Sequence, residues 1–84
     1  MDWVSVDSSV LAAVAYCRER RQLYLRFRSG DVYRYFKFPP HQYDELLAAE
    51  SKGRYFAHRI RDKFFWEQVY DSPLYSTSTY SSGE

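Results

Sequence analysis

Cysteine, glycine, proline and methionine are scarce: the chain has one Cys, three Gly, three Pro and one Met. Cys17, being alone, cannot close an intramolecular disulfide, which excludes a stapled secreted scaffold. Three glycines leave no glycine-rich phosphate loop. No apolar run approaches the ~18 residues of a membrane-spanning helix. The start, Met1-Asp2-Trp3, is neither basic nor followed by an apolar stretch, so no signal peptide is read, and a cytoplasmic location without membrane attachment is expected. Cys17, His41 and His58 supply neither the count nor the paired spacing of a structural zinc site. No nucleophile, base and orienting group can be assembled from them without inventing proximity. The sequence therefore predicts no enzyme, no cofactor and no metal.

What is present is aromatic. Of 84 residues, nine are Tyr and six are Phe. With few Leu, Ile and Val, rings must supply much of the buried area, and Tyr hydroxyls carry that core to the surface. The length allows one domain, which buries only about 60–65% of its unfolded surface and so has a thin core. The formal net charge of +1 hides a gradient. All twelve Lys and Arg lie between Arg18 and Lys63, a stretch with six acids, so the middle carries about +6 and both flanks are acidic. A positive field of that kind favours anionic partners.

Val10 to Tyr16 reads as a first strand, with Val14 and Tyr16 on one side and Ala13, Ala15 and Cys17 on the other. Arg18 to Arg21 is a polar connection. Leu23, Leu25 and Phe27 alternate with Tyr24, Arg26 and Arg28, the period of a half-buried strand. A third strand, Val32 to Phe36, follows the turn. A two-residue loop at Ser29-Gly30 would bring Arg34 to the face of Leu25 and bury an unpaired guanidinium, at a cost of several kcal/mol. A three-residue loop, Arg28 to Gly30 with Gly30 left-handed, pairs Phe27 with Asp31 and Leu25 with Tyr33 instead. Tyr33 and Tyr35 then face inward, and Tyr24, Arg26, Val32, Arg34 and Phe36 point out to solvent beside Ala13 and Ala15.

Pro39-Pro40 stops the sheet and opens a helix over His41 to Glu50, with Tyr43, Leu46 and Leu47 as its apolar stripe. Asp44 and Glu45 read as a solvated pair near its positive end. Gly53 is expected to end this helix in the left-handed conformation. A second helix is predicted from about Arg54 to Phe65, burying Phe56, Ile60 and Phe64. The expected fold class is α+β: a three-stranded antiparallel meander followed by two short helices packed on one face. Residues 1–70 form the single domain, and 71–84, rich in Ser, Thr and Tyr, are read as a disordered tail.

Three separated motifs occur in order. Asp7-Ser8-Ser9 leads into the first strand. Leu23-x-Leu25-x-Phe27-x-x-Gly30-x-x-Tyr33-x-Tyr35 forms the centre. Ser51-Lys52-Gly53-Arg54-Tyr55-Phe56, followed by Ile60-Arg61, completes the set. Over roughly residues 5 to 65 the chain resembles the KTSC domain, a small module named for the C-terminus of some lysyl-tRNA synthetases and also found alone in bacterial proteins. Lys37-Phe38-Pro39 departs from the family's small residue and Val before proline. The resemblance implies a role near RNA through the synthetase context and assigns no activity; that is analogy, not a property of a site.

Among candidate binding residues, Tyr24, Arg26, Arg34 and Phe36 mix guanidinium groups with rings on one strand face, as single-stranded nucleic-acid platforms do. The plainer alternative is a solvated face on which Arg stems cover the rings. Lys52 and Arg54 flank a helix start where free amides suit a phosphate, although Ser51 can simply cap that helix. The expected function is a non-catalytic binding module for RNA or another single-stranded nucleic acid. The alternative partner is a protein, met through the aromatic face and the tail.

Overall fold

A computed structural model describes residues 2–70. Its elements run β1 (Val4–Ser5), β2 (Leu11–Cys17), β3 (Gln22–Phe27), β4 (Val32–Tyr35), α1 (Pro40–Ala48), α2 (Lys52–Arg59) and β5 (Trp66–Val69). All five strands form one sheet in the order of the sequence, each antiparallel to its neighbour. The α+β class holds, but the three-stranded expectation was short by two. β1 has only two residues, too few for any periodicity. β5 reads Trp-Glu-Gln-Val after a helical excursion, where the apolar pattern had faded; it forms because the edge of β4 is open to it.

The β3–β4 register is the one that keeps Arg34 out of the core. Leu25 pairs with Tyr33 and Leu23 with Tyr35, and the Phe27 amide donates to the Asp31 carbonyl at 2.9 Å. Gly30 takes φ 99° in this loop, open to glycine at no steric cost. In β2 the register shifts between Leu11 and Ala13. That bulge lets Leu11 and Val14, three apart, share the inner face, which is why β2 shows no clean alternation.

Helix α1 starts at Pro40 with Pro39 as its N-cap, since proline presets φ for a first turn and lacks only an amide that would be unpaired there. Asp44 and Glu45 sit in its second turn, not at its start; no acid occupies the first turn. Helix α2 begins earlier than expected, at Lys52, and ends at Arg59, so Phe64 follows it in a turn. Gly53 lies inside α2 and has no positive φ, contrary to its expected role as a left-handed terminus. It serves a close approach: a Cβ there would stand 3.0 Å from Val10 Cγ2 and 3.6 Å from Ser8 Oγ.

The two helices lie on one sheet face. Leu46 from α1, Phe56 from α2, and Ile60 and Phe38 beside them close over Leu11, Val14, Leu23, Leu25 and Tyr35. Leu23, Leu25, Leu46 and Ile60 are fully buried, each worth roughly 2–3 kcal/mol of burial. Hydrogen bonds tie the helices together: Gln42 Nε2 donates to the Arg59 carbonyl at 3.2 Å, and the Tyr55 hydroxyl to Glu45 Oε1 at 2.7 Å. Residues 71–84, expected as a tail, lie outside the described residues.

Candidate functional site: two sheet faces and a basic end

The outer face, which no helix covers among the described residues, holds Tyr24, Arg26, Arg34 and Phe36 as the strand pattern required. It is not the open platform the sequence suggested. Trp3 lies across it, with the Arg26 guanidinium 4.5 Å from its ring centroid and the Tyr24 ring edge-on at 6.5 Å. Arg34 sits between Tyr24 and Phe36, at 5.7 and 5.5 Å from their centroids, and donates from Nη1 to the Tyr24 hydroxyl at 3.2 Å. Its charge is met by Glu67 of β5, directly opposite in the ladder. Beneath this layer Ala13, Ala15 and Val32 are buried, not solvated as expected. Glu67 lies in β5 and Trp3 just ahead of β1, the two strands that periodicity missed, so nothing in the sequence pattern announced that the face was already partnered.

Lys52 and Arg54 stand elsewhere. Lys52 Nζ donates to the Ala49 carbonyl at 2.8 Å, closing the end of α1. Ser51 Oγ accepts from the Arg54 amide at 3.2 Å, which is ordinary helix capping. Both residues flank Gly53, which packs against Val10 and Ser8 just ahead of β2. The first and third sequence motifs therefore meet here. Ser8 Oγ accepts from the amides of Val10 and Leu11, at 3.1 and 3.2 Å, and shapes the entry to β2. The six predicted residues do not converge: four lie on the outer face and two on the helical side.

A different cluster forms at the far end of β2, about 20 Å along the strand from Val10. The turn after Cys17 carries Arg18, Arg20 and Arg21. Because Leu23 pairs with Tyr35, Arg21 falls opposite Lys37, and the Phe38 amide donates to the Arg21 carbonyl at 2.8 Å. The Phe36 amide donates to the Phe65 carbonyl at 3.0 Å, which brings Lys63 and Phe65 to the same end. Lys37, Lys63, Phe36, Phe64 and Phe65, with one acid, Asp62, line an open cleft of about 490 Å³. Phe65 is 84% exposed. Arg21 and Lys37 both take left-handed backbone, φ 53° and 56°, a conformation that costs a side-chain-bearing residue about 1 kcal/mol or more. Arg20, Arg21, Lys37 and Lys63 make no ion pair among the described residues, whereas Arg18 reaches Asp44 at 4.0 Å. Continuing the Leu23–Tyr35 pairing by two residues juxtaposes Arg21 and Lys37, a consequence at the strand ends that the alternation of strand faces does not display.

Tyr33 and Tyr35 face the helical side. Tyr35 is 3% exposed, and burial, reinforced by the neighbouring Tyr33, pushes its phenol up to about 12 despite Arg61 nearby. Burial also raises Tyr16 and Tyr43, which stack at 4.9 Å, and the Tyr16 hydroxyl donates to the Phe38 carbonyl. Between α2 and the β4–β5 edge, Phe27, Tyr33, Tyr35, Phe56 and Trp66 wall a cleft of about 370 Å³. His41 and His58 lie on separate helices. Among the described residues no group of three or more His, Cys, Asp or Glu could hold a metal, and no helix is long and apolar enough to cross a membrane.

A meander of five antiparallel strands with two short helices on one face, and a Tyr–Arg–Tyr strand that sends its rings inward and its guanidinium outward, defines a small α+β single-sheet module. The KTSC domain model matches residues 7–64, and the chain belongs to that family. A protein of Tsukamurella paurometabola is 41% identical over 59 residues, covering 70% of this chain and 88% of that protein. A lysine–tRNA ligase of Nostoc punctiforme is 40% identical over 63 residues, which are 75% of this chain but 11% of the ligase. The crystal structure of a KTSC domain protein from Yersinia pestis is similar with a TM-score of 0.79 and 29% identity, covering 81% of this chain and 96% of that one.

Proposed function

We propose that this chain is a cytoplasmic, non-catalytic accessory module that binds RNA through the basic end of its sheet. The observation that carries the reading is the set Arg20, Arg21, Lys37 and Lys63, four cations held at one end without ion pairs among the described residues. Unpaired cations on strained backbone are poor for stability, and an anionic partner gives them a purpose. Phe65 beside them, 84% exposed, offers a ring to unpaired bases. The likeness to a stretch of a lysine–tRNA ligase supports an RNA context. The outer-face residues Tyr24, Arg26, Arg34 and Phe36 are secondary in this reading, because Arg34 is already neutralised by Glu67. Lys52 and Arg54 lie on the other side of the fold and would contact only a long strand.

The test is fluorescence anisotropy with labelled single-stranded RNA across a salt series. Affinity should fall steeply with salt, and Gln at Arg20, Arg21 or Lys63 should each lower the log–log slope by about 0.7. Lys37→Gly is the sharpest variant. It removes a charge and relieves a left-handed backbone, so RNA binding should weaken while the melting temperature holds or rises. Binding insensitive to salt and to all four substitutions would refute the reading. A protein partner is favoured instead by the exposed Phe65, Trp66 and Tyr70 along β5 and its approach, and a hydrophobic interface there would lack the salt slope.

A further inference from the structure

The cleft walled by Phe27, Tyr33, Tyr35, Phe56 and Trp66 is used by neither the fold's caps nor the basic end. Its rings meet mostly edge to face: Phe27 against Tyr33 at 5.5 Å, Phe27 against Phe56 at 5.2 Å, and Tyr33 against Trp66 at 5.1 Å. Of these rings Trp66 is more than half exposed, so part of its surface stays open at the mouth of the cleft. Asp31, from the β3–β4 loop, and Asp62, after α2, stand at the rim with Ser29 and Arg61. Ser29 Oγ donates to Asp31 Oδ2 at 3.1 Å and Gln68 Nε2 to Asp31 Oδ1 at 3.4 Å, while Arg61 reaches Asp62 only at 4.0 Å. Two carboxylates against one guanidinium make the rim net negative, inside a domain whose middle is otherwise positive. A phosphate-bearing nucleotide would be repelled here. A cation would not.

The same chain shows which cation suits such rings. Trp3, Tyr24, Phe36 and Tyr55 each carry an intrachain guanidinium at 4.5 to 5.7 Å from the ring centroid. Among the described residues no guanidinium lies over any of the five rings of the cleft, although Arg61 stands beside them. We propose that this cleft binds a guanidinium group, stacked flat on Tyr33 or Trp66 and forked toward the carboxylate of Asp31 or Asp62. A planar, weakly hydrated cation with a rigid donor fork fits both surfaces better than a compact, strongly hydrated ammonium. The volume of about 370 Å³ exceeds what one guanidinium needs and leaves room for its alkyl stem. The motif Tyr33-Arg34-Tyr35 thereby acquires a division of labour: its two rings build the cleft, and its arginine holds the outer face to β5.

The inference does not depend on RNA binding and is tested apart from it. Methylguanidinium is titrated into the full chain at constant ionic strength, following the Trp66 indole and the neighbouring amides by NMR. Saturable shifts confined to the cleft are expected, with a Kd of about 1–10 mM. Methylurea, the same shape without charge, should bind at least about five-fold more weakly. Asp62→Asn, at a side chain 82% exposed and so safe for the fold, should weaken methylguanidinium about three-fold. A short peptide with one central arginine forms the second arm. Tighter binding than methylguanidinium identifies an arginine of a partner chain as the source, and equal binding identifies a small free cation. Equal affinity for methylurea, or shifts that appear at Trp3 and not at Trp66, would overturn the proposal.

Discussion

Tyr35 ties the buried rings to a measurable pH dependence. Its phenol is almost wholly buried, and its pKa stands at about 12 against 10.0 for a free tyrosine. A raised pKa means that the fold disfavours the ionised form. The neutral phenol therefore contributes its full share of stability below pH 10, and that share is lost as pH rises from 10 toward 12. Each pH unit in that window removes about 1.36 kcal/mol, so about 1.4 kcal/mol is gone near pH 11 and at most ~2.7 kcal/mol at the end. For a domain of this size that corresponds to a melting temperature lower by roughly 5–10 °C at pH 11. Tyr35→Phe isolates the effect. The side chain lines the open cleft and its hydroxyl makes no hydrogen bond among the described residues, so the variant should match the parent near pH 7 within about 1 kcal/mol. Between pH 10 and 12 the parent should lose stability faster than the variant, and thermal melts monitored by circular dichroism across that range read the difference. Parallel decline of the two proteins would show that Tyr35 ionises freely in the fold and would refute its placement beneath α2.

Two further perturbations probe the contacts that sequence periodicity missed. Gly53→Ala should destabilise the domain by about 1 kcal/mol, because the strain against Val10 outweighs the helix propensity of Ala; in a Val10→Ala background the same change should be neutral or stabilising. Urea unfolding of the four proteins checks this, and a stabilising effect in both backgrounds would mean that the close approach is slack. Glu67→Gln should cost about 1 kcal/mol, discounted because both side chains are partly exposed, and the loss should vanish when Arg34 is already Gln. Additive effects in that double-mutant cycle would deny the ion pair any energetic role.

The legible part of this molecule was whatever one strand or one turn decides locally. The loop at Gly30, the inward tyrosines and the outward Arg34 followed from refusing to bury a charge, and the register has them so. The Pro39-Pro40 helix start followed from the geometry of proline. The failures share a cause. The commonest local use of a glycine such as Gly53 is a helix terminus, while its actual constraint is Val10, forty-three positions away in the chain. β1 and β5 are short and carry no alternation; each exists because a neighbouring edge accepts its backbone.

The candidate site divides along the same line. Sequence alone determined which residue types face which side of β3 and β4, because side chains alternate along a strand whatever surrounds it. It also determined that the middle of the chain is basic and that aromatic rings must form much of the interior. Only the tertiary structure decided whether those side chains are available. Glu67 arrives at Arg34 because two helices carry the chain back to the sheet edge, and Trp3 covers Arg26 because the N-terminal segment pairs with β2. The cations at the sheet end, without ion pairs among the described residues, and the ring-walled cleft beside α2 are likewise consequences of long-range closure. Charge and ring content are additive along a chain, but pairing and vacancy depend on which distant segments the fold brings within a few ångströms.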